Sequence, residues 1–162
     1  MKTPSKSAAG VPSIKPIASN RKARHLYHIL ETHEAGLVLE GPEVKSLRAG
    51  RANLIESYGH FEKGELYLLG MHIAPYDPAN RWNPEPTRPR KLLLRRSELK
   101  RLWGKAAQRG LTLVPLSLYF KGSRVKVELA VAQGKKLHDR REAIKQRDQE
   151  REMQREMRHA RQ

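Results

Sequence analysis

LTLVPLSLYF (111–120), KGS (121–123) and RVKVELAVA (124–132) are the stretch on which the fold turns. Val125, Val127, Leu129 and Val131 alternate with Lys126, Glu128 and Ala130, so one face of an extended strand is apolar throughout. The run before it is equally rich in strand formers, and Lys121-Gly122-Ser123 between them is turn chemistry. Two long strands therefore close the core. Upstream, Ser97 precedes Leu99, Leu102, Trp103 and Ala106, which recur at helical spacing until Gly110, and this predicts an amphipathic helix.

Further back, Ser57 to Glu62 and Glu65 to Ala74 flank Lys63-Gly64, the composition of a tight hairpin. Pro42 stands at the first position of a short helix through Arg48, with Gly50 just past its end, where a left-handed cap belongs. Residues 26–33 and 36–40 are strand candidates with a break at Ala35-Gly36. The chain has neither an internal repeat nor a heptad run. Five or more short antiparallel strands with an inserted helix predict a mainly β fold, a small oligonucleotide-binding-like barrel with peripheral helices. Closing such a barrel removes sheet edges and leaves a rim for a ligand.

The charge says what kind of ligand. Among 162 residues, 33 Lys and Arg face 17 Asp and Glu, a net charge of +16 that suits a polyanion partner. With no cysteine, disulfide scaffolds, thiol nucleophiles and thiolate metal sites are excluded. No apolar run approaches the ~20 residues that span a bilayer, and the first residues lack a secretory core, so a cytoplasmic protein without a membrane partner is expected.

Charge and composition also divide the chain. Residues 1–19 hold three prolines and little apolar area, and are expected to form a disordered basic arm. Residues 20–134 carry the barrel. Residues 135–162 form a basic tail that lacks glycine and proline and is rich in Glu, Gln, Arg, Lys and Ala, which favours helix without offering a continuous apolar stripe. Lys145, Arg147, Arg151 and Arg155 lie within it, with Arg147, Arg151 and Arg155 on one face and Asp148, Glu152 and Glu156 on the next. Two readings follow: a solvated, frayed helix, or a segment that orders on RNA.

Inside the barrel segment, Arg88, Arg90, Lys91, Arg95, Arg96, Lys100 and Arg101 are the densest basic stretch, and their guanidinium forks suit phosphate oxygens. Arg21, Lys22, Arg24 and His25 lead into Tyr27, a mixture of charge and rings that grips single-stranded or looped RNA, although Tyr27 fits a core position equally well. A metal site among His25, His28 and His33 is disfavoured because 28 faces away from 25 and 33 in an extended chain. Glu43-Val44-Lys45 matches half of a metal-dependent nuclease motif, yet no Asp precedes Asp77 to complete it. No nucleophile elbow or phosphate loop occurs, so neither an enzyme nor a cofactor is expected.

Six stretches in order carry a family likeness: Asn20 to His25, Glu34-Ala35-Gly36, Glu43 to Gly50, Pro86-Thr87-Arg88 with Arg90 to Leu94, Gly110 to Leu116, and Gly134 to Arg141. Together they resemble the bacterial SsrA-binding protein family, also called small protein B. That resemblance implies a barrel that binds the tRNA-like domain of transfer-messenger RNA and brings it to the vacant A site of stalled ribosomes, standing in for the missing anticodon arm. It implies further partners: the small-subunit decoding centre and mRNA channel, alanyl-tRNA synthetase, and the elongation factor that carries charged tRNA. Asn20, Glu34 and Leu93 match family positions important for RNA binding, Leu93 either as a surface contact or as core support beneath it. Gly134 matches the junction to the tail, where Lys135, Lys136, His138, Asp139, Arg140 and Arg141 match its ribosome-facing element. Pro42, Pro89 and Trp82 to Pro86 depart from the family pattern. The competing expectation is a general ribosomal-RNA-binding or assembly protein.

Overall fold

The computed structural model describes residues 12–135 and 137–160. The chain runs β1 (Ile14–Ser19), α1 (Arg21–Leu26), β2 (Tyr27–Leu37), α2 (Gly41–Arg48), β3 (Ala52–Asn53), β4 (Tyr58–Glu62), β5 (Glu65–Leu69) and β6 (His72–Ile73). A 3-10 turn (Asp77–Trp82), β7 (Arg90–Leu93), α3 (Arg96–Ala106), β8 (Leu111–Lys121), β9 (Arg124–Gly134) and α4 (Leu137–Ala160) complete it.

The closing hairpin is present, in register from Leu111 opposite Gln133 to Lys121 opposite Arg124. From it the pairing passes through β9, β2, β7, β5 and β4 and returns to β8, so six antiparallel strands form a closed barrel. The return is made at Gly59 opposite Leu113. A Cβ at residue 59 would lie 2.8 Å from the Leu113 Cβ, so only glycine lets β4 come this close. Inside lie Ala35, Leu66, Leu68, Leu92, Leu118, Val127 and Leu129, with Leu47 of α2 and Leu102 of α3 covering the openings. The alternation predicted for β9 holds, since Val125, Val127, Leu129 and Val131 all join this core. The short hairpin turns at Lys63 (φ 50°) and Gly64 (φ 78°), as β4 and β5 require.

The main departures from expectation have local causes. Residues 14–19 are not a disordered arm. They pair with β8 from Ile14 opposite Lys121 to Ser19 opposite Ser117, and Ile17 and Ala18 pack on the core. Composition judged the segment alone, whereas β8 supplies the edge that orders it. Residues 1–11 of the expected arm lie outside the described residues.

The break expected at Ala35-Gly36 is absent, because β2 continues to Leu37 and Gly36 is paired on both sides, with Lys126 of β9 and Leu93 of β7. The second half of the predicted strand 36–40 instead leads into α2, where Glu43 accepts from the Glu40 N–H (3.0 Å) and closes the first turn. Gly70, at φ 78°, splits the expected strand 65–74 into β5 and β6. Helix α3 starts one residue before the expected cap Ser97, with Glu98 accepting from the Arg95 N–H.

Candidate nucleic-acid interface

The outward faces of β2, β8 and β9 bring together residues that are far apart in sequence. Gly36 lies beside Leu93 and Lys126, and a Cβ there would sit 3.3 Å from the Leu93 Cβ and 3.7 Å from the Lys126 Nζ. The missing side chain leaves a bare floor between an apolar wall and a cation. Leu93 is 50% exposed on this surface, so it is not a core residue.

One residue pair further along β2, Glu34 accepts from the Tyr119 hydroxyl (2.5 Å) and from the Lys121 Nζ (3.1 Å). The Tyr119 hydrogen bond, followed by Lys121, holds the Glu34 carboxyl below the usual carboxylate range. Burial and the same hydrogen bond push the Tyr119 phenol up, so it stays protonated and remains a donor. The carboxylate thus orients a ring and a cation rather than holding phosphate itself. Tyr119, Lys121 and Lys126 were missed by sequence reasoning, although the signal was present: with Val125 and Val127 pointing inward, these three face out on the same hairpin.

A second group is built on α1. Asn20 is buried, its carbonyl accepts from the Ala23 N–H (3.3 Å), and its amide donates to the carbonyls of Pro115 (3.1 Å) and Leu54 (3.3 Å). The Asn20 N–H also donates to the Leu116 carbonyl at 2.7 Å. Pro115 has no N–H, and the β8 register shifts between Pro115 and Ser117. Asn20 therefore supplies donors to the Pro115 and Leu116 carbonyls where the β8 register shifts. Asn20, expected to matter for RNA binding, is here a buried clamp that seats α1. On that helix Arg21, Lys22, Arg24 and His25 are all exposed, while Ala23 faces a small second core with Val114, Leu116, Ala130 and Ala132. Tyr27 is partly buried and packs against that second core.

The dense basic stretch is not one phosphate-binding face. Arg90 is fully buried and donates to Glu43 (Nε to Oε2, 2.6 Å) and to the carbonyls of Met71, Arg88 and Pro86. It is removed from the expected RNA contacts, because a phosphate reaching it would have to enter the core. Arg88 also pairs with Glu43 and is mostly covered. Lys91 pairs with Glu65 at 2.8 Å and stays partly exposed. Only Arg95, Arg96, Lys100 and Arg101 of this stretch lie open to solvent. The nuclease reading of Glu43 falls with the same observation, since both carboxylate oxygens are occupied by guanidinium groups.

The tail is a continuous helix in this structure, although sequence reasoning expected it to be only partly helical when free. Ile144, Met153 and Met157 are exposed, in keeping with the missing apolar stripe. Two hydrogen bonds among the described residues tie it to the barrel: Arg147 donates to the His25 ring at 2.9 Å, and the Lys135 N–H donates to the Leu26 carbonyl at 2.8 Å. Gly134 ends β9. Arg141, Lys145, Arg151 and Arg155 are exposed along α4, whereas Lys136 and the side chains of His138, Asp139 and Arg140 lie outside the described residues.

A family model described as "SmpB protein" matches residues 17–159. The chain belongs to the SmpB family. It is 60% identical over 139 residues to the SsrA-binding protein of Desulforudis audaxviator (strain MP104C), covering 86% of this chain and 91% of that relative. The SsrA-binding protein of Carboxydothermus hydrogenoformans is 56% identical over 144 residues, covering 89% and 97% of the two chains. A solved chain described as "tmRNA-SmpB: a journey to the center of the bacterial ribosome" superposes with a TM-score of 0.65 at 54% identity, covering 75% of this chain and 86% of that one. Membership accounts for the motif order from Asn20 to Arg141. Of the departures, Pro42 lies in the first turn of α2, and Asn83 brackets the Tyr76 backbone with two 2.9 Å hydrogen bonds that close the loop.

Proposed function

We propose that this protein binds the tRNA-like domain of transfer-messenger RNA and serves trans-translation, the rescue of stalled ribosomes. The observation that carries the reading is the surface assembled from Glu34, Gly36, Leu93, Tyr119, Lys121 and Lys126, where Glu34 hydrogen-bonds residues 85 and 87 positions away and Gly36 lies against Leu93 and Lys126. A fixed phenol, an apolar wall and two lysines around a bare backbone floor suit ribose, base edge and phosphate together. The exposed cations of α1, before the start of β2, form a second basic group. The names of the relatives, SsrA-binding proteins, support the same partner.

In this account the barrel carries the RNA to the vacant A site and stands where an anticodon arm is missing, and α4 enters the empty mRNA channel of the small subunit. The isolated helix frays in water, since no apolar face holds it, and the channel stabilises it. The arginine row at 147, 151 and 155 faces ribosomal phosphates, together with His138, Arg140 and Arg141 near the tail's start. The protein acts by shape and charge. Bond chemistry belongs to the ribosome, and alanine reaches the RNA through its synthetase and elongation factor. A bacterial cytoplasmic location goes with this role. Sequencing the RNA that co-purifies with the full chain tests it: transfer-messenger RNA should dominate, and bulk ribosomal RNA in its place would return the protein to a general assembly role.

A further inference from the structure

Helix α3 carries a partly exposed face beside β7, although Leu99 on it also packs against the core. Arg96, Leu99, Lys100 and Trp103 stand at helical spacing on one side, while Leu102 alone of the helix is fully buried. Trp103 belongs to the apolar pattern of this helix, yet it is 54% exposed. It is nevertheless fixed: Phe61 of β4 meets it edge to face, with centroids 5.1 Å apart at 83°. Between this ring and β7 runs a groove of about 790 Å³, whose apolar walls include Phe61, Leu94 and Leu99 and whose rim carries Lys91, Arg96 and Lys100. That volume lies within the ~300–1,000 Å³ of small-ligand sites. Glu65 is the one acid on its lining, and it is already paired with Lys91.

We propose that this groove takes an unstacked nucleotide of the bound RNA, with Trp103 as the stacking platform and Arg96 and Lys100 on the flanking phosphates. The inference rests on the RNA-binding reading above and extends it to a second contact. Two observations select RNA over a protein segment. The rim is cationic throughout apart from a neutralised Glu65, so a partner bearing a ring and a negative charge at each repeat fits both wall and rim. Leu93 and Lys91 line the groove, and Leu93 also walls the Gly36 floor, so the groove continues the first surface around the edge of β7. RNA lying on one reaches the other without leaving the protein.

The two tryptophans allow a direct test. Trp82 lies on the 3-10 turn with 74% exposure, so a Trp82→Phe full chain keeps its fold and leaves Trp103 as the only tryptophan. This chain is titrated with the tRNA-like domain, and emission and gel shift are read on the same samples. Trp103 emission should be quenched as the shifted complex forms, and acrylamide should lose access to it. In the same background Trp103→Ala should weaken binding by roughly 5- to 100-fold, with Trp103→Phe in between, as removal of a base-stacking ring does. A gel shift with unchanged Trp103 emission overturns the inference while leaving the RNA reading intact. Quenching that appears only when ribosomes are added also overturns it, placing a ribosomal partner in the groove. No shift at all would sink the RNA reading, and this inference with it.

Discussion

Glu43 accepts three hydrogen bonds, from the Glu40 N–H, Arg88 and Arg90, with its side chain 2% exposed. Burial raises its carboxyl pKa, but the bonds from Arg88, the Glu40 backbone and Arg90 outweigh it, and the net direction is downward. A folded-state pKa below the unfolded value stabilises the fold above about pH 4.3, and that stability is lost as the pH falls through the folded value. Glu43→Gln should therefore cost roughly 3 to 5 kcal/mol at neutral pH, because two guanidinium groups lose their counter-charge. Its stability should also fall less steeply on acidification than that of the natural chain. Chemical denaturation at pH 7 and pH 4 checks both, and an unchanged midpoint for the variant at pH 7 would show that the pair is not a staple.

Glu34 behaves differently because it is exposed. On Coulomb grounds alone, Glu34→Ala strengthens binding of a polyanion at low salt. If the carboxylate orients Tyr119 and Lys121, the variant should instead bind the tRNA-like domain more weakly by roughly 1 to 3 kcal/mol. Tighter or equal binding by a folded variant would remove Glu34 from the site. At this scale the sequence displayed charge but not burial. Arg88, Arg90 and Lys91 read as one cluster, yet Arg88 and Arg90 converge on Glu43 while Lys91 pairs with Glu65, and the Glu43 contacts depend on α2 meeting a segment some 45 residues away.

Among the elements, those whose pattern is carried by their own residues were legible. The β8–β9 hairpin announced itself through alternation, and α3 through its apolar spacing. Elements that depend on a distant partner were not: β1 exists because β8 offers an edge, and β2 runs through Gly36 because both neighbours pair there. Helix α4 belongs to the first kind, as its composition alone favours helix. Proline at Ile144 or Met153 removes a helix hydrogen bond and costs roughly 3 kcal/mol of helix stability. Neither side chain packs on the barrel, so gel shifts with the tRNA-like domain should be unaffected, while single-round peptidyl transfer to alanyl-charged RNA on stalled ribosomes should collapse. Normal transfer by both proline variants would mean that an ordered helix is not part of the mechanism.

For the whole molecule, the structure separates a self-contained barrel from an appended helix. Every buried hydrophobic of the described residues lies between Ala23 and Ala132, so a chain ending at Gly134 keeps both cores. Under the proposed function the positive charge divides accordingly, with α1, the Gly36 floor and α3 assigned to the RNA and the arginine row of α4 to the ribosome. If the barrel neutralises roughly 4 to 7 phosphates, log K should fall with log salt at about 0.7 to 0.9 per phosphate, and removing the tail should leave that slope nearly unchanged. The most direct measurement is the affinity of residues 1–134 for the tRNA-like domain beside that of the full chain, at one salt concentration and against an unrelated RNA of equal length. The barrel should hold the specific RNA within a few-fold of the full chain and discriminate equally well, whereas loss of specific binding on truncation would contradict this division and place recognition in the tail.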